Sequence, residues 1–343
     1  LAVHPGPHWS VADVHNGWVE AFRELGLTVV DFNYGDRLLW YEQVSLPVDG
    51  SRDAYDHALT LDEAQQLASK GIEAAMFEVW PDIVWFTAGG HIPKEIFHLA
   101  RERHFTVVIH HTESPYEDDR QAVLAAEGCA DLHLINDPTN LDAWREWAPN
   151  TWYVPHAYRP SLHHPYPPPP QKQDVVWVGS MWAERFMWWE RFVKSAPDLS
   201  VRLAGNFTNA REHHPLLDLV VHDHDDCCDN DRAARLYSTA KVGLNIYRKS
   251  AERQELAYGW AMGPRELEMA ACRLFFATEP RGENAEVLPM LPTFTTPEEA
   301  AEQARWWASH DKERDETAAA AQAAVAGRTF KNHAAKVLSH LLG

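Results

Sequence analysis

Short apolar runs alternate with segments of helical periodicity from one end of the chain to the other, the pattern of parallel sheets with crossover helices. In the first half the apolar runs predict strands over Leu1–His4, Thr28–Phe32, Ile83–Thr87, Thr106–His110, Leu132–Asn136 and Thr151–Val154. The periodic segments between them predict helices over Val11–Leu25, Leu61–Val79, Pro93–Arg103, Asp118–Ala126 and Leu141–Trp147. Ser10 is placed to cap the first of these helices and Gly26 to close it. In the second half, strands are predicted over Val175–Val178, Val201–Ala204, Val242–Tyr247 and Leu274–Ala277. Helices are predicted over Trp182–Ser195, Asp231–Thr239, Arg265–Cys272, Pro297–His310, Asp315–Ala326 and Lys331–Leu342. The predicted fold class is α/β, with two Rossmann-like domains.

The alternation is interrupted once. Pro155–Pro170 holds seven prolines in sixteen residues, too many for a helix or a central strand, so it reads as an extended linker. The expected organisation is a first domain over 1–155, a linker over 156–173, a second domain over 174–328 and a final helical segment over 329–343. A length of 343 residues with 45% hydrophobic and 24% charged residues can fill two such cores.

Charge narrows the partners. Lys and Arg number 31 against 50 Asp and Glu, giving a net −19 that repels nucleic acid and anionic membrane, so any phosphate site must be local. No run of about 18 apolar residues and no signal-peptide pattern is present, so no membrane insertion is expected. The four cysteines (Cys129, Cys227, Cys228, Cys272) have no regular spacing, which argues for a reducing, cytoplasmic setting over a disulfide framework. The 15 Trp and 20 His exceed what two cores need, and both residue types stack on sugars and bases.

In parallel α/β sheets, ligands bind outside the carboxyl ends of the strands. At the first turn of the second domain, Gly179-Ser180 runs from a strand into a helix, where backbone N–H groups and the helix dipole suit a phosphate. The same pair also serves as a tight turn and cap. No GxGxxG or GxxxxGK[ST] signature is present, which disfavours a nicotinamide or P-loop reading. Gly263-Pro264-Arg265-Glu266-Leu267-Glu268 opens a helix with proline and acids in its first turn. This is either ordinary capping, or a site where Arg265 binds a diphosphate and Glu268 accepts from a ribose diol.

The ordered segments Gly179-Ser180 with Arg185, Ala204-Gly205-Asn206, Leu236–Ile246 containing Asn245, and Arg265-x-x-Glu268-x-x-Ala271-Cys272 resemble the donor half of GT-B glycosyltransferases. The resemblance is to the spore-maturation-protein-type branch of nucleotide-sugar-dependent transferases. His111-Thr-Glu113-Ser-Pro115-Tyr116, Ile135-Asn-Asp137-Pro and Tyr153-Val-Pro155-His156 extend it into the first half. Arg273 departs from it, standing where that branch has glycine. The resemblance implies a hexosyltransferase-type enzyme that takes its sugar from a nucleoside diphosphate, UDP favoured. The donor would be held by the second domain, the acceptor by the first, and the last helix would return to the first domain.

In that reading Gly179, Ser180, Arg185, Gly205, Asn206, Asn245, Arg265 and Glu268 bind the donor, and the diphosphate is neutralised without a metal or other cofactor. An inverting reaction also needs a base for the acceptor hydroxyl. The candidates are His8, Asp13, His111 and Glu113, with helix capping the alternative for Asp13 and burial the alternative for one ring of the His110-His111 pair. The run His222–Asp229 is dense in metal-ligand types, and Asp223-x-Asp225 imitates an Asp-x-Asp motif. Its spacing and late position favour a polar loop over a metal centre. Trp182, Trp188 and Trp189 read as core or interface before sugar stacking. A non-catalytic nucleotide-sugar or carbohydrate binder, and a phage-type transferase acting on hydroxymethylated DNA bases, are the alternative functions. The acceptor is otherwise a protein, a small molecule or a glycan, with DNA disfavoured by the charge and by the scatter of basic residues in the first half.

Overall fold

A computed structural model describes residues 1–4, 9–44, 59–112, 119–207, 214–223, 227–248 and 259–343. It divides into two compact units, Leu1–Val154 with Ala334–Gly343, and Pro155–His333.

Unit 1 contains β1 (Ala2–His4), α1 (Trp9–Glu24), β2 (Asp31–Asn33), α2 (Tyr34–Val44), α3 (Leu61–Val79), β3 (Ile83–Thr87), α4 (Lys94–Glu102), β4 (Thr106–His111), α5 (Asp119–Ala126), β5 (Leu132–Ile135), α6 (Leu141–Trp147) and β6 (Thr151–Tyr153). The strands form a six-stranded sheet in the order β2-β1-β3-β4-β5-β6, and every pairing is parallel. Its central strands are apolar on both faces because helices cover both. Val3, Val84, Phe86, Val107 and Ile109 are wholly buried with Phe97 of α4 and Ile72 of α3. Each such large side chain contributes roughly 1.5–3 kcal/mol by leaving water. Helix α3 starts on a reciprocal cap, in which Thr60 Oγ1 accepts from Glu63 N and Glu63 accepts from Thr60 N.

Unit 2 contains β7 (Gln173–Ser180), α7 (Ala183–Ser195), β8 (Val201–Asn206), α8 (Asn230–Tyr237), β9 (Ala240–Asn245), α9 (Pro264–Ala271), β10 (Phe275–Thr278), α10 (Gly282–Val287), α11 (Pro297–Ser309) and α12 (Asp311–Val325). The parallel order is β10-β9-β7-β8. Val175, Trp177, Val242 and Phe276 form its core with Trp189 and Phe192 of α7. The last helix, α13 (Phe330–Leu342), begins in unit 2, and from Ala334 its residues belong to unit 1. There Trp152 and His340 meet with ring centroids 3.8 Å apart.

Several local readings are corrected. Helix α1 already begins at Trp9, so Ser10 lies inside it and is not its cap. Gly26, with φ +87, does close the turn after it. Helix α2 falls in a stretch where no element was predicted, and α12 begins at Asp311, four residues before its predicted start. Arg273 takes the left-handed φ of 58 that a glycine would adopt freely, so the turn after α9 keeps its geometry at some cost in strain. None of the four cysteines is in a disulfide, and among the described residues no helix is long and apolar enough to cross a membrane.

Candidate active site

The carboxyl ends of the unit 2 strands gather most of the residues singled out in the sequence. β7 ends in Gly179-Ser180 and β8 in Gly205-Asn206, in register as Gly179 with Gly205 and Ser180 with Asn206. The two backbones approach so closely that a Cβ on Gly205 would lie 2.0 Å from Gly179 O, and Gly205 has φ +130, so only glycine fits. Gly205 N donates to His222 Nε2 (3.0 Å) and Cys228 N to Gly205 O (3.0 Å). The Gly205 amide is therefore engaged within the protein, and His222, the first residue of the metal-like run, serves as its acceptor. Asp225 of that run lies outside the described residues.

Arg185, on the first turn of α7, bridges two strand ends. Its Nη1 donates to Ser180 O (2.8 Å) and its Nη2 to Ile246 O (2.7 Å), with the guanidinium 5.7 Å over the Trp177 ring. Its Nε is buried with no hydrogen-bond partner among the described residues. Burial lowers its pKa to about 10, which still leaves it charged at neutral pH. Arg185 thus fixes a positive charge at the strand ends by bracing backbone carbonyls. Asn245, at the end of β9, donates from Nδ2 to Thr278 Oγ1 (3.2 Å) at the end of β10.

Helix α9 carries the densest polar chemistry. It is buried nearly all round, Leu267, Met269, Ala270 and Ala271 included, so its acids must be paired. Arg265 Nη1 donates to Glu268 Oε2 (2.7 Å) and to Asn230 Oδ1 (2.7 Å), and Tyr237 OH donates to Glu268 Oε2 (3.3 Å). Burial alone would push the Glu268 carboxyl up, but the Arg265 guanidinium holds it below the usual carboxylate range. Conversely, burial would lower Arg265, and Glu268 raises it above its ordinary value. The result is an ionised pair with Glu268 3% exposed and the arginine side chain 21% exposed, so the arginine, unlike the acid, keeps part of its surface at the solvent.

One residue that sequence reasoning passed over anchors this helix. Glu266 is fully buried and accepts from Gly263 N (2.7 Å), Tyr247 OH (2.5 Å), Thr278 Oγ1 (2.9 Å) and Asn284 Nδ2. Burial raises its pKa, and these four donors act in the opposite direction. Glu279 accepts from Tyr247 N (2.8 Å) and Glu283 from Met262 N (2.8 Å), so acids also pin the segment before α9. Their signal in the sequence was the acid content of a stretch apolar enough to be core. Of the tryptophans on and beside α7, Trp189 is wholly buried, Trp188 packs against the core, and Trp182 is half-buried under Arg248 at 4.4 Å.

In unit 1, His8 and Glu113 lie outside the described residues. Asp13 is half-buried on α1. His111 is fully buried, its Nε2 2.9 Å from His133 Nδ1 and its ring stacked on that histidine, so it points into the unit's interior and away from solvent. His110 Nδ1 accepts from Trp18 Nε1 (3.0 Å). A pair with no signal in the sequence, His15 Nε2 to Asp31 Oδ1 (2.8 Å), holds Asp31 below its ordinary pKa. An apolar cavity of about 410 Å³, lined by Phe22, Trp80, Trp85 and Leu338 among others, sits by the amino ends of β1 and β3. Ligands of parallel sheets bind at the other end of the strands.

Residues 185–339 match the family described as glycosyl transferase-like, a stretch that contains Arg185, Gly205, Asn206, Asn245, Arg265 and Glu268. No curated protein matches in sequence. The fold resembles a trehalose-6-phosphate synthase (13% identity, 99% of this chain and 97% of that one, TM-score 0.63) and the sucrose-phosphate synthase of Thermosynechococcus elongatus (13%, 82% and 78%, 0.58). It also resembles an alpha-glucosyltransferase in complex with UDP-glucose and DNA containing an abasic site (12%, 99% and 97%, 0.63). The two parallel α/β units and these likenesses give the fold as GT-B, with a glycosyl transferase-like domain over residues 185–339.

Proposed function

We propose that the protein transfers a sugar, of hexose type, from a UDP-sugar to an acceptor hydroxyl without a metal. The observation that carries this reading is the Arg265–Glu268 pair on α9, an ionised buried acid beside an arginine whose side chain stays partly exposed. Glu268 offers acceptors of the kind a ribose diol needs, and Arg265 supplies positive charge for the diphosphate. Ser180, Asn206 and the Gly179 strand end line the phosphate side, and Arg185 adds a fixed charge there. Leaving-group stabilisation by preorganised cations and donors is the largest contribution such a site makes, and losing one donor costs about 2.7–4 kcal/mol in the transition state. UDP is favoured over other nucleotides because a solved structure of the same fold binds UDP-glucose.

The domain roles follow the same reading. The second domain over 174–328 holds the donor, the first over 1–155 holds the acceptor, the 156–173 linker joins them, and the 329–343 segment returns to the first. The order of short motifs supports reading the chain as one of the spore-maturation-protein-type branch, and cysteines outside any disulfide suit a cytoplasmic enzyme. Among the base candidates, Asp13 is the described one that keeps solvent access; His8 and Glu113 complete the set, and the burial of His111 counts against it. The −19 net charge favours a neutral acceptor such as a small molecule, a glycan or a protein hydroxyl.

A thermal-shift panel of nucleotides and nucleotide sugars tests the donor. At 100 times its dissociation constant the right ligand adds about 2.7 kcal/mol of stability. UDP-sugars should stabilise the protein with or without EDTA, and Arg265→Ala should remove the effect. Stabilisation that requires a divalent metal would refute the metal-free reading. A second reading, transfer to a modified base in DNA, is favoured by the DNA-bound structural neighbour. Retention of duplex or single-stranded DNA in a mobility-shift assay at low salt would support it, and none is expected.

A further inference from the structure

On α4, Lys94, His98 and Arg101 follow at helical spacing and share one face. That face meets the turn between α5 and β5. Lys94 Nζ lies 2.9 Å from Glu127 Oε2, while Arg101 donates to Gly128 O (2.5 Å) and to Asp131 Oδ1 (3.0 Å). The turn is locked by its own backbone: the amides of Glu127, Gly128 and Cys129 donate to Val123, Ala125 and Leu124 carbonyls at 2.9, 3.1 and 3.1 Å. Between the two cationic clamps, one ligand atom each of His98, Glu127 and Cys129 lies within 4.8 Å of the other two. Cys129 is fully buried, His98 half-buried and Glu127 exposed, so the cluster has a protein side and a water side.

We propose that His98, Glu127 and Cys129 form a binding site for a thiophilic divalent cation of the zinc type, with water as fourth ligand. Imidazole, carboxylate and thiolate are the donors zinc takes, at about 2.0–2.3 Å, which sets neighbouring ligand atoms about 3.5 Å apart. Closing from the present separation takes side-chain rotation of about 1 Å around a fixed turn. Charge balances as well, because one thiolate and one carboxylate cancel the cation's two charges, leaving Lys94 and Arg101 beside a neutral centre. Binding replaces the S–H bond by a metal–sulfur bond and releases that proton to solvent. Burial pushes the Cys129 thiol up to about 11, so affinity should rise with pH through the neutral range. The site uses none of the donor-binding residues of unit 2, and the metal would tie α4 to the α5–β5 turn.

The test is zinc binding by equilibrium dialysis and a cobalt(II) titration followed by absorbance, both on the full chain. One zinc per chain and a thiolate-to-cobalt charge-transfer band are expected. Cys129→Ser should abolish the band, and His98→Ala should weaken zinc at least about tenfold, the lower end of losses at metal sites. Lys94→Met removes the competing cation from Glu127 and should tighten binding. The pair Cys227→Ser and Cys228→Ser should leave the band unchanged. Absence of the band in the unmodified protein, its survival in Cys129→Ser, or its loss in the Cys227/Cys228 variant overturns the assignment. Should Cys129→Ser fail to fold, unchanged affinity in His98→Ala does the same.

Discussion

Replacing Arg265 by methionine isolates the electrostatics on which the donor site depends. Across 2.7 Å, at an effective dielectric of about 20, the attraction between Arg265 and Glu268 is about 6 kcal/mol, most of it offset by desolvation of the two ions. Removing only the arginine strands a carboxylate that is 3% exposed, and such a break costs about 3–5 kcal/mol. Removing both charges in Arg265→Met/Glu268→Gln should cost less than the single change, giving a coupling of at least about 2 kcal/mol. The pH dependence has a definite sign. In the native protein Glu268 has a folded pKa below its unfolded value, so its contribution is present at neutral pH and lost on acidification. Without Arg265, burial is the strongest influence left, opposed by the Tyr237 hydroxyl and the His163 ring, so the folded pKa rises and the penalty seen at neutral pH shrinks as the carboxyl protonates. Urea unfolding followed by tryptophan fluorescence, at about pH 7.5 and about pH 5, measures both effects. Additive single and double variants, or an Arg265→Met deficit that does not shrink on acidification, would refute the reasoning.

Other consequences are equally checkable. Gly205→Ala sets a Cβ 2.0 Å from Gly179 O at a φ of +130, and should destabilise unit 2 by about 3 kcal/mol or more in thermal unfolding. Arg273→Gly relieves a left-handed φ of 58 at an exposed position and should raise stability by about 1 kcal/mol. Glu266→Ala leaves Gly263 N, Tyr247 OH, Thr278 Oγ1 and Asn284 Nδ2 without their buried acceptor, and should cost about 3 kcal/mol or more. Glu266→Gln, which keeps one acceptor oxygen, should cost less by the same unfolding assay.

The α/β class and most strands were legible because parallel strands covered on both faces are continuous apolar runs, as in Thr106–His111 and Val175–Val178. Helix α2 was not, since it is short, weakly amphipathic and opens on Asn33-Tyr34-Gly35. Nor was the sheet order, in which β1 lies between β2 and β3, because crossovers leave no local trace. Arg265 and Glu268 were legible from helix-start chemistry together with resemblance. Glu266 was not, although it sits beside them, because its partners Tyr247, Thr278 and Asn284 come from three other segments. The pair His15–Asp31 was hidden for the same reason, and it reaches 72 residues further along the chain through the His15 Nδ1 contact to Thr87. His111 shows the converse: a polar residue after a strand looks available in the sequence, yet a second buried histidine takes its ring into the interior.

The most direct test of the central claim is release of UDP from a panel of UDP-sugars incubated with the protein in EDTA, without acceptor. A glycosyltransferase lets water take the acceptor's place slowly, so UDP and free sugar should accumulate in the unmodified protein and not in Arg265→Met. Tight binding of every donor with none cleaved on prolonged incubation would mark a nucleotide-sugar binder and contradict the account.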